Sequence, residues 1–387
     1  MYRIAIKMLV GNGSKYLAMI IGVVFASLVI TQQLSIFCGL MSRTFGFLSD
    51  TPEPDLWVME PKVQFVDDIK PMAISRLWQV KGIDGVEWAV PLYKGIVRVR
   101  LEGGTFQNSN LIGIDDATLI GGPARMLNGT LADLRRADGI IVDQAGASKK
   151  LARLATESGR SVLIPASIGD QLEINDQRGV IVGVARVTRT FQSQPVIYTT
   201  FSRATRYAPA ERKQLSFILV GLQAGADKTL IKKQIAEKLG LAAYTTDEFK
   251  DLSLLYFLRN TGIPINFGIA VLLAFLVGVA IVGQSFYSFT LDNLRYFGTL
   301  RAMGASNFLL LQMMALQAAV VGSVGFGIGS GIGSLFYYVS RNSELAFRMP
   351  WQVPFIAASA VVIISLLAAL LSLRKIATLE PAMVFRF

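Results

Sequence analysis

Four stretches of the chain run without a single Asp, Glu, Lys or Arg: residues 17–40, 263–289, 308–339 and 353–373. A helix rising 1.5 Å per residue needs about 20 apolar residues to cross a hydrocarbon core about 30 Å thick, so each stretch predicts a membrane-spanning helix. In the fourth, 12 of 21 residues are Val, Ile, Leu or Phe. At their usual insertion values these contribute roughly −4 to −7 kcal/mol, enough to insert unaided. Residues 308–339 would span about 48 Å as a continuous helix, so that segment must tilt, kink or protrude. Tyr337, Tyr338 and Trp351 sit near the ends of these stretches, where amphipathic rings favour the headgroup zone.

The pattern changes between the first and second stretches. Residues 55–59, 95–101, 111–114 and 216–222 read as short strands, and 171–174 with 179–187 reads as a strand pair turning at 175–177. Residues 72–80 predict a short helix, and 228–239 an amphipathic one with Leu230, Ile231, Ile235 and Leu239 set among four lysines. Residues 131–154, rich in Ala, Arg and Asp, read as helical or loop-rich. The fold class expected is a membrane α-helical protein with four transmembrane helices and a large α+β extracytoplasmic domain, residues 41–262, between helices 1 and 2. The cluster of Asp, Gly and Pro at 115–130 suggests a boundary between two subdomains.

The remaining segments are an interfacial stretch at 1–16, a loop at 290–307, a short outer loop at 340–352 and a tail at 374–387. Arg3, Lys7, Lys15, Arg295, Arg301, Arg374, Lys375 and Arg386 give eight basic residues in the flanks on one side, against five on the other, Arg43, Lys250, Arg259, Arg341 and Arg348. Basic flanks favour the cytoplasm, which places both termini and loop 290–307 there and the large domain outside. The first stretch is too long for a cleaved signal, and Ser42-Arg43-Thr44-Phe45 follows it instead of a small-residue cleavage site, so it reads as a retained anchor.

Gly325, Gly329 and Gly333 recur every four residues and share one helix face, the spacing that lets two helix backbones approach closely in lipid. Gly327 and Gly331 mark a second stripe. The same glycines could also serve as a point that flexes during a working cycle.

Composition then removes whole classes of chemistry. The chain of 387 residues has no His and one Cys, and its 38 basic against 27 acidic residues give a net charge of +11. Without His there is no Ser-His-Asp relay, no Cys-His pair and no His-built zinc site. Cys38 alone forms no internal disulfide, and in its apolar surroundings it reads as a small buried side chain. No metal, cofactor or catalytic residue is expected in this chain. The membrane stretches carry Gln32, Gln33, Gln284, Gln312 and Gln317 but no Asp, Glu, Lys, Arg or His, which argues against an ion pathway. The domain at 41–262 has 28 basic and 24 acidic residues, too nearly balanced to suggest nucleic acid. Gly11-Asn12-Gly13-Ser14-Lys15 lacks the spacing of a phosphate-binding loop and follows no strand, so ATP, where used, binds to another chain.

Loop 290–307 carries the most specific pattern. Phe297-Gly298-Thr299-Leu300-Arg301-Ala302-Met303-Gly304-Ala305-Ser306 resembles the "G-x-L-R-A-x-G-A-S" stretch of the FtsX-like, MacB-type permease family, which includes macrolide-exporter, lipoprotein-release and heterocyst glycolipid (DevC) permeases. Three further stretches are similar to that family. They are residues 5–31, the "G-D-x-h-x-h … h-V-G-h" pattern of Gly169-Asp170-Gln171-Leu172-Glu173-Ile174 with Val180-Ile181-Val182-Gly183-Val184, and the tail Arg374-Lys375-Ile376-Ala377 with Pro381 and Arg386. In appearance the chain is closest to the DevC branch. The acidic residue common two places before the first Gly of the loop is Tyr296 here, while Arg295 and Arg301 remain.

The resemblance implies an inner-membrane ABC permease subunit of the type VII, mechanotransmission kind, whose residues Arg295 and Phe297 to Ser306 dock into a separate ATPase. ATP and Mg²⁺ would belong to that partner. A second copy of the permease, favoured over a different permease chain, would complete the machine, with membrane lipid around it. Export of a lipid-like or amphipathic substrate through a periplasmic adaptor and an outer-membrane duct follows from the DevC likeness. The alternative is an FtsX-like regulator that transmits ATPase motion to a periplasmic cell-wall hydrolase and transports nothing.

Overall fold

The computed structural model describes residues 2–101, 104–157, 160–209, 214–340 and 343–377, with the side chains of 154–161 and 373–377 left aside. The chain divides into two compact units, Met1–Leu40 with Gly262–Phe387, and Met41–Thr261. Pro381 and Arg386 of the tail signature lie outside the described residues.

The first unit opens with α1 (Tyr2–Gly11), which buries Ala5 and Leu9, and α2 (Gly13–Arg43). At 31 residues α2 exceeds the uncharged stretch at both ends, because Lys15 and Arg43 can sit at helix termini without entering the hydrocarbon.

The inserted unit follows in chain order with α3 (Gly46–Ser49), β1 (Leu56–Met59), α4 (Ser75–Lys81), β2 (Val86–Arg100) and β3 (Phe106–Ile114). Next come β4 (Met126–Asn128), a 3₁₀ turn (Leu131–Arg135), β5 (Gly139–Asp143), α5 (Gln144–Ser148) and the hairpin β6 (Arg153–Glu157) and β7 (Arg160–Ile164). The chain then forms β8 (Gln171–Ile174), β9 (Gln177–Ala185), β10 (Val196–Thr200) and α6 (Phe201–Tyr207). It closes with β11 (Phe217–Leu222), α7 (Lys228–Leu239), β12 (Ala242–Tyr244) and α8 (Thr246–Asn260). The main sheet runs β12-β1-β11-β2-β3-β10-β5-β9-β4, with β8 bridging β2 and β9. The unit is therefore α+β, with parallel pairing, among the described residues, between β3 and β10 and between β5 and β9.

The change from one half-sheet to the other occurs inside β2, not at 115–130. Residues from Val86 to Leu92 pair with β11, whereas Tyr93 to Arg100 pair with β3. A crossover inside a continuous strand has no turn residue to announce it. Loop 115–130 is instead tied down, with Asp115 accepting from the Thr118 N–H at 2.8 Å and Leu119 entering a core shared by both halves. That core packs Trp57, Leu92, Ile112, Ile141, Tyr198, Phe217 and Phe249 together.

Segment 131–154 is helical at Leu131–Arg135 and Gln144–Ser148, as read, but not throughout. Its Gly139–Asp143 portion is β5, wholly buried between β10 and β9. A buried strand shows no alternation, and Ile140-Ile141-Val142 is too short a run to separate from loop by periodicity. The turn at 175–177 holds Asn175 and Asp176 at φ 44 and 62, the left-handed pair that a tight hairpin requires and that Asn and Asp tolerate best.

Helix α7 starts at Asp227, whose carboxylate accepts from the Thr229 N–H at 2.8 Å, and α8 starts with a capping box between Thr245 and Glu248. Asp55 joins β11 to α7, accepting from the Leu222 N–H at 3.0 Å and from the Lys228 ammonium at 2.7 Å. The hydrogen bond from Lys228 holds the Asp55 carboxyl below the usual carboxylate range, with the Leu222 N–H adding to it. A depressed folded-state value contributes stability above the unfolded value, lost as pH falls through the folded one. Asp55→Asn is therefore expected to lower stability at neutral pH, by no more than about 1 kcal/mol for this largely exposed pair. Unfolding scans of wild type and variant at neutral and strongly acid pH check this, and the two should converge in acid.

The first unit resumes with α9 (Ile263–Asp292), α10 (Leu294–Ala302), α11 (Asn307–Ser340) and α12 (Gln352–Ala377). Helices α2, α9, α11 and α12 are long and apolar enough to cross a membrane. Their shared core contains Met19, Val23 and Ala26 of α2, Val282 and Phe286 of α9, Val321 of α11 and Ile364 of α12.

Candidate functional site

The turn between α9 and α11 is a built element. Asn293 stops α9, its side-chain Nδ2 donating to the Phe289 carbonyl at 2.8 Å while its own N–H donates to the same oxygen at 3.1 Å. The nine residues of α10 are amphipathic. Phe297 and Leu300 are buried with Ala5 of α1 and with Leu310, Met313 and Met314 of α11, and Gly298 is buried on the same face. Gln317 of α11 fixes α1 in turn, its Nε2 donating to the Ala5 carbonyl at 2.8 Å within the core.

The exit from α10 is equally defined. Gly304 has φ +93, its N–H donating to the Arg301 carbonyl at 3.0 Å, and the Ala305 N–H reaches back to the Leu300 carbonyl at 3.0 Å. This is the left-handed glycine closure of a helix C-terminus. Ser306 then caps α11, with its Oγ accepting from the Leu309 N–H at 3.2 Å. A β-carbon at Gly304 would meet nothing within 4 Å, so only the backbone conformation demands glycine there. Gly304→Ala is expected to cost about 1–2 kcal/mol through that conformation alone. Thermal unfolding of the purified variant measures it, and Gly304→Asn, which tolerates positive φ, should recover part of the loss.

The opposite face of the turn is exposed. Arg295, Thr299 and Ala302 lie there, with Tyr296 62% and Met303 69% exposed, followed by Phe308 at the start of α11. Arg301 is half-buried at the edge of this face, and Ala305 is half-buried behind it. The residues singled out in the sequence thus divide in three. Phe297, Gly298 and Leu300 seat the helix, Gly304 to Ser306 shape its exit, and Arg295, Thr299, Ala302 and Met303 are exposed, with Arg301 half-buried beside them. Tyr296 and Phe308, outside the site as read from sequence, add aromatic surface to the same face. Chemically this is a short helix with an apolar base and an exposed front of aromatic, thioether and cationic side chains.

The glycine stripe of α11 faces α2. A β-carbon at Gly325 would fall 2.6 Å from Val23 Cβ, and one at Gly329 would fall 2.0 Å from Ser27 Oγ and 2.9 Å from the Val24 carbonyl oxygen. Gly333 has ordinary room, with Thr31 Cγ2 at 3.4 Å. Gly327 and Gly331 meet nothing within 4 Å and are exposed. Ser27, which sequence reading passed over, is fully buried in this contact and donates to the Val24 carbonyl at 3.1 Å.

The profile of the MacB-like periplasmic core domain matches residues 16–238, and that of the FtsX-like permease C-terminal region matches residues 268–381. The chain belongs to the MacB/FtsX family of permeases. The α9–α11 turn lies inside the FtsX-like match and most of the inserted domain inside the MacB-like one. Among relatives of the family, an uncharacterized ABC transporter permease of Mycobacterium tuberculosis is 36% identical over 121 residues, 30% of this chain and 32% of that protein. A second uncharacterized ABC transporter permease of that species is 22% identical over 220 residues, 56% of this chain and 58% of that protein. The chain thus spans about a third to somewhat over half of these relatives' lengths. Among solved structures, the periplasmic region of MacB from Actinobacillus actinomycetemcomitans is 15% identical, covering 51% of this chain and 90% of that one, with a TM-score of 0.35. The extracellular domain of the noncanonic ABC-type transporter YknZ from Gram-positive bacteria is 14% identical, covering 50% and 98%, with a TM-score of 0.33.

A MacB-like periplasmic domain between the first two of four apolar helices fits an inner-membrane protein. Much of the FtsX-like site is sequence-visible, because it is continuous in the chain. Its support from Ala5, Met313, Met314 and Gln317 is not, since those residues look like any apolar or interfacial position until the helices are assembled.

Proposed function

We propose that this chain is the membrane subunit of an ABC-type machine in which a separate ATPase binds the exposed face of α10. The single observation that carries this reading is the rigid seating of α10. Nine residues fixed by Phe297, Leu300 and two defined ends present Arg295, Arg301 and Met303 outward, so a push on the helix is passed into α1 and α11 instead of being absorbed by a loop. ATP and Mg²⁺ are held by that partner. Two copies of the permease serve the two nucleotide sites, since ABC engines pair them. Both termini and α10 face the cytoplasm, in keeping with the excess of basic residues there.

The membrane helices carry no Asp, Glu, Lys, Arg or His at depth, which suits a transmitter of movement better than a conduit. Nucleotide-driven closure moves the cytoplasmic ends of α2 and α9, and the movement acts on the substrate within the inserted domain. The cargo is lipid-like or amphipathic, passed to a periplasmic adaptor and an outer-membrane duct.

Extraction from native membranes in mild detergent, followed by mass spectrometry of what co-purifies, tests the assembly. An ATPase with an adaptor and duct is the expected result. An ATPase accompanied by a cell-wall hydrolase would replace export with regulation, and the absence of any ATPase would overturn the docking role of α10.

A further inference from the structure

The inserted domain has a cavity of about 810 Å³ where the middle of β2 meets loops 60–71 and 187–195 and the end of α8. Its size is that of sites which enclose small molecules. One wall is aromatic. Phe65 stacks on Tyr256 with centroids 4.4 Å apart, Phe257 meets Phe65 edge-on at 5.4 Å, and Phe191 lies 4.9 Å from Phe257. Phe65, Phe191 and Tyr256 are only partly covered, so the wall presents ring surface to the cavity beyond what the core consumes.

The floor is polar and already neutral. Lys94, 5% exposed, pairs with Asp67, and Lys70 pairs with Asp68 at 2.7 Å. The Lys94 backbone is bound on both sides by Ser216, whose Oγ accepts from its N–H at 2.8 Å and donates to its carbonyl at 3.0 Å. Asn110 Nδ2 donates to Gln194 Oε1 at 3.1 Å, and the amides of Gln192 and Gln214 stand at the rim. An anionic head entering here would face the exposed Asp67 carboxylate, and a cationic head would have to compete with Lys94 and Lys70 for carboxylates that are already paired. Either would have to displace an ion pair, at a cost that an uncharged head avoids. Amides and hydroxyls are the groups left to recognise it.

We propose that this cavity holds a nonionic amphiphile, its apolar chain along the Phe65, Tyr256, Phe257 and Phe191 wall and its uncharged, hydroxyl- or amide-bearing head at Asn110, Gln192 and Gln214. Thr261, the last residue of the inserted domain, is among the residues that line the cavity. The proposal rests on the reading of the chain as a permease for an amphipathic substrate and names that substrate's class.

The test uses the full chain in phosphatidylcholine nanodiscs and two photoreactive probes of equal chain length, a monoacylglycerol and a fatty acid, each with a diazirine at the end of the chain. The expected result is labelling by the monoacylglycerol in peptides that contain Phe65, Phe191 or Tyr256, at least about tenfold above the fatty acid, a preference of about 1.4 kcal/mol. Ile96→Trp, which fills the cavity from an exposed strand position, and Tyr256→Ala, which removes part of the wall, should each lower that labelling severalfold. Labelling confined to the membrane helices, labelling indifferent to both variants, or equal labelling by the fatty acid would overturn the proposal. Stimulation of the partner ATPase by the permease is measured in parallel. Intact stimulation without cavity labelling removes the binding site alone, whereas cavity labelling without stimulation removes the permease reading and leaves the site.

Discussion

Arg301→Glu is expected to abolish stimulation of the partner ATPase while leaving membrane insertion unchanged. Arg301 sits half-buried at the edge of the exposed face of α10, next to Met303, and its helix is held by Phe297 and Leu300 on the other side. Its side chain is thus positioned by a rigid base, and a planar guanidinium in a fixed place can bind a carboxylate or a row of carbonyls with two parallel hydrogen bonds. Loss of a desolvated interfacial charge pair costs about 2 kcal/mol or more, and reversal adds repulsion to that, so association should weaken at least about thirtyfold. Arg301→Lys keeps the charge but loses the fork, and an intermediate defect is expected. Met303→Asp, on the same exposed face, should weaken docking without touching the core. ATPase assays of reconstituted complexes, with protease protection as the control for insertion, separate these outcomes. Coupled activity unaltered by Arg301→Glu would show that α10 is an ordinary membrane hairpin.

Elements with local signatures were legible in the sequence. The four apolar stretches, the β8–β9 hairpin with its Asn175-Asp176 turn, and α7 with Leu230, Ile231 and Ile235 each declare themselves within about 20 residues, because length, turn chemistry or periodicity is a local property. Elements defined by distant partners were not. β5 is a strand because β9 and β10 enclose it, and nothing in Gly139-Ile140-Ile141-Val142-Asp143 alternates. The half-sheet boundary eluded reading for the same reason, since Leu92 and Tyr93 are adjacent strand residues distinguished only by whether β11 or β3 lies opposite. α8 went unread because its buried positions, Phe249, Ser253 and Phe257, include a serine and lie among charged residues close to a membrane stretch. The α10 site shows both behaviours. Its exposed face is written in consecutive residues, while the base that makes it rigid is drawn from α1 and from a part of α11 that reads as plain membrane helix.

Gly329→Leu is expected to be among the most damaging single changes in the membrane unit. A β-carbon at Gly329 falls within 2.9 Å of the Val24 carbonyl and 3.2 Å of the Leu28 nitrogen, both backbone atoms of α2, as well as against Ser27 Oγ. A side chain can rotate away from an intruder, but a helix backbone can only translate, so α2 and α11 must separate over more than one turn. Overpacking usually costs about 1–3 kcal/mol, and the upper end applies where backbone opposes the insertion. The stripe also supplies its own controls. Gly331→Leu adds the same side chain to the same helix at a position with nothing within 4 Å, and Gly333→Ala enters ordinary contact with Thr31, so both should be nearly neutral in thermal unfolding of the detergent-solubilised chain. Equal behaviour of Gly329→Leu and Gly331→Leu would remove the close-packing role. A different split, with Gly329→Ala stable but uncoupled from the ATPase, would assign the stripe to movement between α2 and α11, because a single methyl group there alters how the two backbones slide before it alters whether they pack.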